Sequence, residues 1–169
     1  MVRFLVRMLL SPLAISIFNI VILFPLVIAI LEVALGIQNG GDFHEPMDIL
    51  EGMGVVLIGW GVALEERHSL RHIFGLAGEV DENRQAAIDH SCHSAGLGML
   101  IFGLFAEMCV EAVRLPNHII NTHRIEHVVL YASLAFLVIS VYVMLHHIYL
   151  LVRVMLAGKQ VVSDLHESH

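Results

Sequence analysis

The sequence predicts an all-α polytopic membrane protein, folded as an antiparallel four-helix transmembrane bundle. The chain has 169 residues, is 57% hydrophobic and has a mean hydropathy of +0.80, whereas soluble domains are roughly 45–50% apolar. Four apolar runs are long enough to cross a bilayer. The connections between them are short, which favours antiparallel neighbours. At this length we expect a single domain covering residues 1–169.

Proline, glycine and polar clusters set the bounds of the four spans. Pro12 and Pro25 should kink the first span, and the polar, glycine-rich segment Gln38–Asp42 should end it. Leu115–Asn117 is predicted as a tight connector, and Gly158 should end the last helix. The predicted spans are residues 2–37, 47–76, 83–114 and 119–157, followed by a polar tail at 159–169.

The distribution of positive charge predicts that both termini lie in the cytoplasm. Seven of the nine Lys and Arg residues fall on one side of the predicted bundle and two on the other, and cytoplasmic loops carry the excess. The expected location is the cell inner (plasma) membrane. The chain has a formal net charge of -7 and no basic patch, so nucleic acid is not an expected partner. Membrane lipid is an expected partner. A homodimer is also expected to be possible, because Gly52 and Gly59 lie off the polar stripes and would let two helices approach closely.

Acidic and histidine residues on the second and third spans predict two polar layers at different depths. Glu51 and Glu65 are 14 positions apart, and so are His93 and Glu107, a rise of roughly 21 Å along a helix. Antiparallel packing therefore pairs Glu51 in depth with Glu107, and Glu65 with His93. Small residues let membrane helices approach closely, so glycines within these stripes predict that both stripes face the bundle interior. The glycines are Gly54, Gly61, Gly96 and Gly103.

The outer layer has the donor composition of a two-metal site. A charged side chain at the centre of a bilayer costs about 3 kcal/mol or more unless it is neutralised. Carboxylates that bridge two divalent ions, with imidazoles completing the coordination, would remove that cost. Iron, manganese and zinc all accept these donors. The predicted outer ligands are Glu32, Glu51, Glu107, Glu111, His123, Glu126 and His127.

The outer pattern departs from that of di-iron bundles in two respects. His123-x-x-Glu126 reverses the usual Glu-x-x-His order, and Glu111 follows Glu107 by four positions rather than three. An alternative interpretation places Glu111 and His123 in the headgroup region and pairs Glu107 with Arg124.

The inner layer predicts a second metal site. Glu65-x-x-His68 is a Glu-x-x-His unit, and the facing helix offers Asp89 one turn before His93. The neighbouring Arg67 is expected at a solvated helix end. The predicted inner ligands are Glu65, His68, His72, Asp89 and His93, while Arg71 is expected in solvent and His146 and His147 at the membrane interface.

Three functions fit such a membrane-embedded site. The first is a di-iron-like oxidoreductase that acts on a lipid-soluble substrate entering between the helices. The second is a divalent metal transporter, sensor or sequestering protein, although the apolar residues between the two layers do not favour permeation. The third is a b-type cytochrome, with haem held between His68 or His72 and His93 or His147.

Three histidine motifs lie towards the predicted cytoplasmic side: His68-x-x-x-His72, His90-x-x-His93 and His146-His147. They resemble the histidine boxes of membrane desaturases and hydroxylases. The resemblance implies a metal centre on the cytoplasmic face rather than in the outer layer. The second motif departs from the family pattern, because Ser94 rather than a further histidine follows His93.

Overall fold

The computed structural model describes residues 2–38, 44–76, 82–117 and 126–167, and the side chains of 3–36, 47–76, 84–112 and 128–157. In these ranges every regular element is an α-helix. Four helices are long and apolar enough to cross a membrane, so the chain is a multi-pass helical membrane protein and the predicted fold class is confirmed. The helices are α1 (Val2–Leu9), α2 (Pro12–Gln38), α3 (His44–Glu65), α4 (Arg67–Ile73), α5 (Glu82–Asn117) and α6 (Glu126–Glu167).

The first predicted span is two helices rather than one kinked helix. Pro12 opens α2, where its missing N–H costs nothing because the first helical position has no intrahelical partner. Ser11 caps this helix, its Oγ accepting a hydrogen bond from the Ala14 N–H at 3.2 Å. Pro25 lies inside α2 without ending it. The chain therefore breaks at Leu10 and Ser11, close to one end of the bundle.

The other predicted bounds also shift. The second span is divided at Glu66, which separates α3 from the short α4. The predicted connector Leu115–Asn117 belongs to α5, and α6 continues through Gly158 into the predicted polar tail. A helical glycine costs only about 1 kcal/mol relative to alanine, which is too little to end a long helix.

The bundle core follows a seven-residue repeat on all four long helices. This spacing keeps one seam of each helix facing its neighbours, as in left-handed helical bundles. α3 packs on α5, α5 on α6, and α2 on both α6 and α3. The buried positions of the repeat are Asn19, Leu26 and Val33 on α2, Leu50, Leu57 and Leu64 on α3, Cys92, Met99 and Ala106 on α5, and Leu130, Leu137, Met144 and Leu151 on α6.

Candidate metal centre

The backbones of α3 and α5 touch at glycines. A Cβ atom on Gly61 would lie 2.7 Å from the carbonyl oxygen of Gly96, and one on Gly96 would lie 2.6 Å from that of Gly61. Further along, a Cβ on Gly103 would lie 2.9 Å from the Gly54 carbonyl oxygen. Residue numbers rise on one helix as they fall on the other, so α3 and α5 are antiparallel. The prediction that the stripes face the bundle interior is confirmed for these glycines. It is wrong for the histidines of the same stripes, His68, His72 and His93, which are exposed.

Three carboxylates converge at one end of this contact. One carboxylate oxygen from each of Glu51, Glu107 and Glu111 lies within 4.8 Å of the other two. All three side chains are half-buried. Glu107 and Glu111 share a helix face because they are one turn apart, and antiparallel packing brings Glu51 to their depth. We call these three residues the carboxylate cluster.

Gly54 makes room for the cluster. A Cβ atom on Gly54 would lie 3.0 Å from Oε2 of Glu107, so a larger residue at this position would press on that carboxylate. Oε2 of Glu107 is also buried from solvent. The same close helix contact that joins α3 to α5 thus holds the Glu107 carboxylate against the α3 backbone.

Mutual repulsion makes this arrangement demanding. Two carboxylates at the separation seen here repel by about 3 kcal/mol at an effective dielectric constant of about 20. Three carboxylates on helices of membrane-spanning length need a proton, a basic side chain or a metal ion nearby to offset their charge. Three hard oxygen donors within a few ångströms are a suitable set for a divalent cation.

The other predicted outer ligands are placed differently. Glu32 is exposed on α2, and the group formed by the carboxylate cluster does not include it. His123 lies outside the described residues. Glu126 and His127 are the first residues of α6, but their side chains lie outside the described part of the chain.

The predicted inner layer holds a buried ion pair. Arg67 is only 2% exposed and pairs with Asp89, while Nη1 of Arg71 donates to Asp89 Oδ2 at 2.9 Å. The expectations that Arg67 lies at a solvated helix end and that Arg71 lies in solvent are therefore wrong, since the Arg71 side chain is only 11% exposed. Burial lowers the pKa of the Arg67 guanidinium, because the charged form loses hydration. We call Arg67, Arg71 and Asp89 the arginine cluster.

The break between α1 and α2 explains why Arg67 is tolerated inside the bundle. Its Nε and Nη2 donate to the Leu10 carbonyl oxygen at 3.1 and 2.9 Å, and Nη2 also reaches Gln85 Oε1 at 3.3 Å. A buried charge needs both a counter-charge and hydrogen-bond partners. The guanidinium thus ties the N-terminal break to α4 and α5.

The remaining inner residues are only partly brought together. Nδ1 of His93 lies 3.6 Å from Oε1 of Glu65, as the antiparallel depth pairing predicts. His68 Nδ1 lies 3.2 Å from Asp89 Oδ2, although the His68 side chain is 76% exposed. His72 is exposed. His68 thus approaches a carboxylate, that of Asp89, which already pairs with the guanidinium groups of Arg67 and Arg71.

Sequence reasoning missed a buried polar network in the middle of the bundle. His147, expected at the interface, is 1% exposed, and Asn19 is fully buried. Trp60 Nε1 donates to Asn19 Oδ1 at 2.7 Å, and Asn19 Nδ2 lies 3.1 Å from His147 Nδ1. The available signal was the seven-residue repeat, since His147 follows Ser133 and Ser140 at that spacing and all three are buried.

Comparison with protein-family models, with curated proteins and with solved structures finds no match to this chain. Its class therefore follows from its own architecture. It is a multi-pass helical membrane protein with a carboxylate cluster between two of its candidate membrane spans.

Proposed function

We propose that this protein is an integral membrane metal-binding protein, with a divalent ion held between α3 and α5 by the carboxylate cluster. The observation that carries the proposal is the approach of Glu51, Glu107 and Glu111 to within 4.8 Å of one another. Bound cation would offset both their mutual repulsion and the cost of keeping carboxylates in a bundle of membrane-length helices.

The donor set favours a hard or borderline ion. Carboxylate oxygens suit manganese and ferrous iron, and they also bind zinc when imidazole is present. The backbone contact between α3 and α5 supports a rigid site, because neither helix can rotate its carboxylate away without losing the glycine packing. Iron, manganese and zinc are therefore the ions to test.

A two-metal site is the fuller form of this proposal. The cluster supplies three carboxylates, and α6, which packs on α5, begins with Glu126 and His127. His127, with His123 before it, would add the nitrogen donors that two-metal carboxylate bundles use, and Glu126 would add a further carboxylate. The arginine cluster has no part in the proposal, because Asp89 already bears two guanidinium groups.

The chemical role proposed for the loaded site is oxidation of a lipid-soluble substrate, which makes the protein a membrane oxidoreductase. Two redox-active ions would supply oxygen activation, while the bundle holds the carboxylates in place and limits access of water. If the protein lies in the plasma membrane with both termini in the cytoplasm, the carboxylate cluster lies towards the outer face of that membrane.

Metal sensing or sequestration is the second candidate. Leu57, Met99 and Leu137 fill the bundle interior and are fully buried. An ion-conducting path needs polar or hydrated lining, so this packing favours a protein that holds metal over one that transports it.

Metal titration tests the central proposal. Protein purified in detergent and stripped with a chelator is titrated with Mn²⁺, and binding is followed by electron paramagnetic resonance and elemental analysis. Glu51→Gln and Glu107→Gln should weaken binding at least ~100-fold, since even residues outside the coordination shell commonly contribute ~10–100-fold. The matched control is Glu32→Gln, an exposed glutamate on α2, which should bind like the parent protein.

Three outcomes would contradict the proposal. Parent protein that takes up no Mn²⁺, Fe²⁺ or Zn²⁺ would mean that protons or basic side chains neutralise the cluster. Equal binding by the cluster variants would place the metal elsewhere, and an effect of Glu32→Gln as large as theirs would restore Glu32 as a ligand. With iron bound, oxygen uptake in the presence of a lipid-soluble reductant supports the oxidoreductase, whereas stable binding without uptake supports sensing or sequestration.

A further inference from the structure

A cavity of about 470 Å³ lies between α5 and α6, away from the carboxylate cluster. Ser94 on its wall precedes Glu107 by 13 positions, which is roughly 20 Å along the helix. The volume of the cavity is within the range of roughly 300–1,000 Å³ found for small-molecule sites. The cavity is thus independent of the proposed metal centre.

Small side chains make up most of the α5 wall of the cavity. They are Ala87, Ser91, Ser94, Ala95 and Gly98, and the exposed His90 adds a ring beside them. The opposite wall on α6 carries rings, with Tyr142 and His146 nearly parallel at an interplanar angle of 21°. A slot between a wall of mostly small residues and a wall that carries both rings and aliphatic side chains suits a flat, largely apolar ligand.

His147 lies on the inner wall of the cavity. Its side chain is 1% exposed, and its Nε2 is buried without a hydrogen-bond partner among the residues that the structure describes. The Ser91 Oγ atom on the α5 wall is likewise buried without a hydrogen-bond partner among the described residues. Buried polar groups are nearly always satisfied in proteins, so these atoms indicate a polar ligand atom in the cavity.

The network behind His147 determines what that nitrogen can do. An indole N–H only donates, so the Asn19 atom that faces Trp60 at 2.7 Å is the amide oxygen. The Asn19 NH₂ group then faces His147 Nδ1 at 3.1 Å and must donate to it. Because Nδ1 accepts, the neutral ring carries its proton on Nε2.

A metal or haem iron does not fit this nitrogen. Ligation needs a lone pair on the coordinating nitrogen, whereas Nε2 holds a proton as long as Nδ1 accepts from Asn19. Among the described residues, no group of three or more metal-ligating side chains includes a histidine of this cavity. This Nε2–H group has no acceptor among the residues that the structure describes.

We propose that this cavity binds a planar, lipid-soluble carbonyl compound, of the quinone class, whose oxygen accepts a hydrogen bond from His147 Nε2–H. The exposed side chains of Ser94 and Tyr142 at the cavity open it to the lipid-facing surface of the bundle. The ring lies in the slot between α5 and α6, and Ser91 is placed to contact a second polar atom. A phospholipid ester carbonyl offers the same acceptor, and the experiment separates the two sources.

The test is ¹⁵N NMR of histidine-labelled protein in detergent and in phospholipid nanodiscs, titrated with duroquinone. We expect His147 to have an unprotonated Nδ1 and a protonated Nε2, and its Nε2 resonance to shift saturably with duroquinone in both media. The fluorescence of Trp60, the single tryptophan, should follow the same saturation curve, because Trp60 lies at the other end of the network.

Variants separate binding from folding. His147→Phe removes the donor and should weaken duroquinone binding about 10-fold, the usual effect of losing one hydrogen bond. Ser94→Leu leaves the network intact and fills an exposed part of the slot, so it should weaken binding while retaining the Trp60 emission maximum. The matched control is His72→Phe, at an exposed histidine outside the cavity, which should bind normally.

Three results would overturn the proposal. A proton on Nδ1 instead of Nε2 would remove the donor. A His147 shift on transfer into nanodiscs without duroquinone would assign the cavity to a lipid carbonyl. Duroquinone binding that is unchanged in His147→Phe and Ser94→Leu would place the ligand elsewhere.

Discussion

The carboxylate cluster and the arginine cluster lie at opposite ends of the α3–α5 contact, and they use acidic residues in opposite ways. At one end Glu51, Glu107 and Glu111 approach one another within 4.8 Å. At the other, Asp89 is held by Arg67 and Arg71. The arginine cluster thus joins opposite charges, whereas the carboxylate cluster brings acidic groups together.

The comparison shows that a buried acidic residue says little until its counter-charge is known. Arg67 is only two positions beyond Glu65, yet it reaches Asp89 on α5 and the Leu10 carbonyl at the break before α2. A carboxylate that is matched in this way has a structural role. Carboxylates gathered together, as in the carboxylate cluster, are the donor set on which the proposed metal site rests.

The largest expected effect comes from breaking the arginine cluster. Arg67→Met should reduce the free energy of unfolding in detergent by about 3 kcal/mol, because it leaves Asp89 buried with one guanidinium fewer and the Leu10 carbonyl without its donor. Reversible unfolding in mixed micelles measures this change.

Arg153→Met is the matched control, since Arg153 is exposed on α6 and should change stability by less than about 0.5 kcal/mol. The double variant Arg67→Met/Asp89→Leu should recover part of the loss. Equal stability of Arg67→Met and the parent would show that the ion pair contributes nothing net.

A smaller effect is expected at the helix contact that joins the two clusters. Gly96→Ala should lower stability by about 1–3 kcal/mol, because its Cβ would lie 2.6 Å from the Gly61 carbonyl oxygen and would force α3 and α5 apart. Any bound Mn²⁺ should be held more weakly in the same variant. Unfolding and metal titration on one preparation measure both changes.

Gly59→Ala provides the control, since nothing lies within 4 Å of a Cβ at that position. Its stability should match the parent or exceed it slightly through helix propensity. If Gly96→Ala loosened metal binding no more than Gly59→Ala, the cluster geometry would not depend on the backbone contact.

The smallest expected effect sharpens the carboxylate end of the comparison. Ser133 Oγ on α6 donates to the Ala106 carbonyl oxygen on α5 at 3.1 Å, next to Glu107. Ser133→Ala should destabilise the bundle by about 0.6 kcal/mol, the average for a hydrogen bond between membrane helices. Ser140→Ala, which removes a bond within α6 to Phe136, should have less effect, and a larger effect at Ser140 would contradict this account.

Local patterns predicted more of the fold than of the polar network. Apolar length was sufficient for the number of spans, and the glycine spacing predicted the α3–α5 contact, but the connector predicted at Leu115–Asn117 and the helix end predicted at Gly158 were wrong. The break at Leu10 and Ser11 was missed, because Pro12 can kink a helix or open one, and tertiary contacts at Arg67 accompany the second arrangement. His147 was missed because its burial depends on Asn19, 128 positions away.

The amino-acid sequence alone was enough for the class of protein, since bilayer thickness imposes long apolar helices and antiparallel spacing pairs Glu51 in depth with Glu107. It could not say which acidic residues packing would bring beside arginine and which it would bring beside one another. That outcome depends on helix rotation, on the break before α2 and on distances of a few ångströms, over which Coulomb energies change by several kcal/mol. Only the packed bundle places Arg67 on Asp89 and leaves His147 Nε2–H facing a cavity.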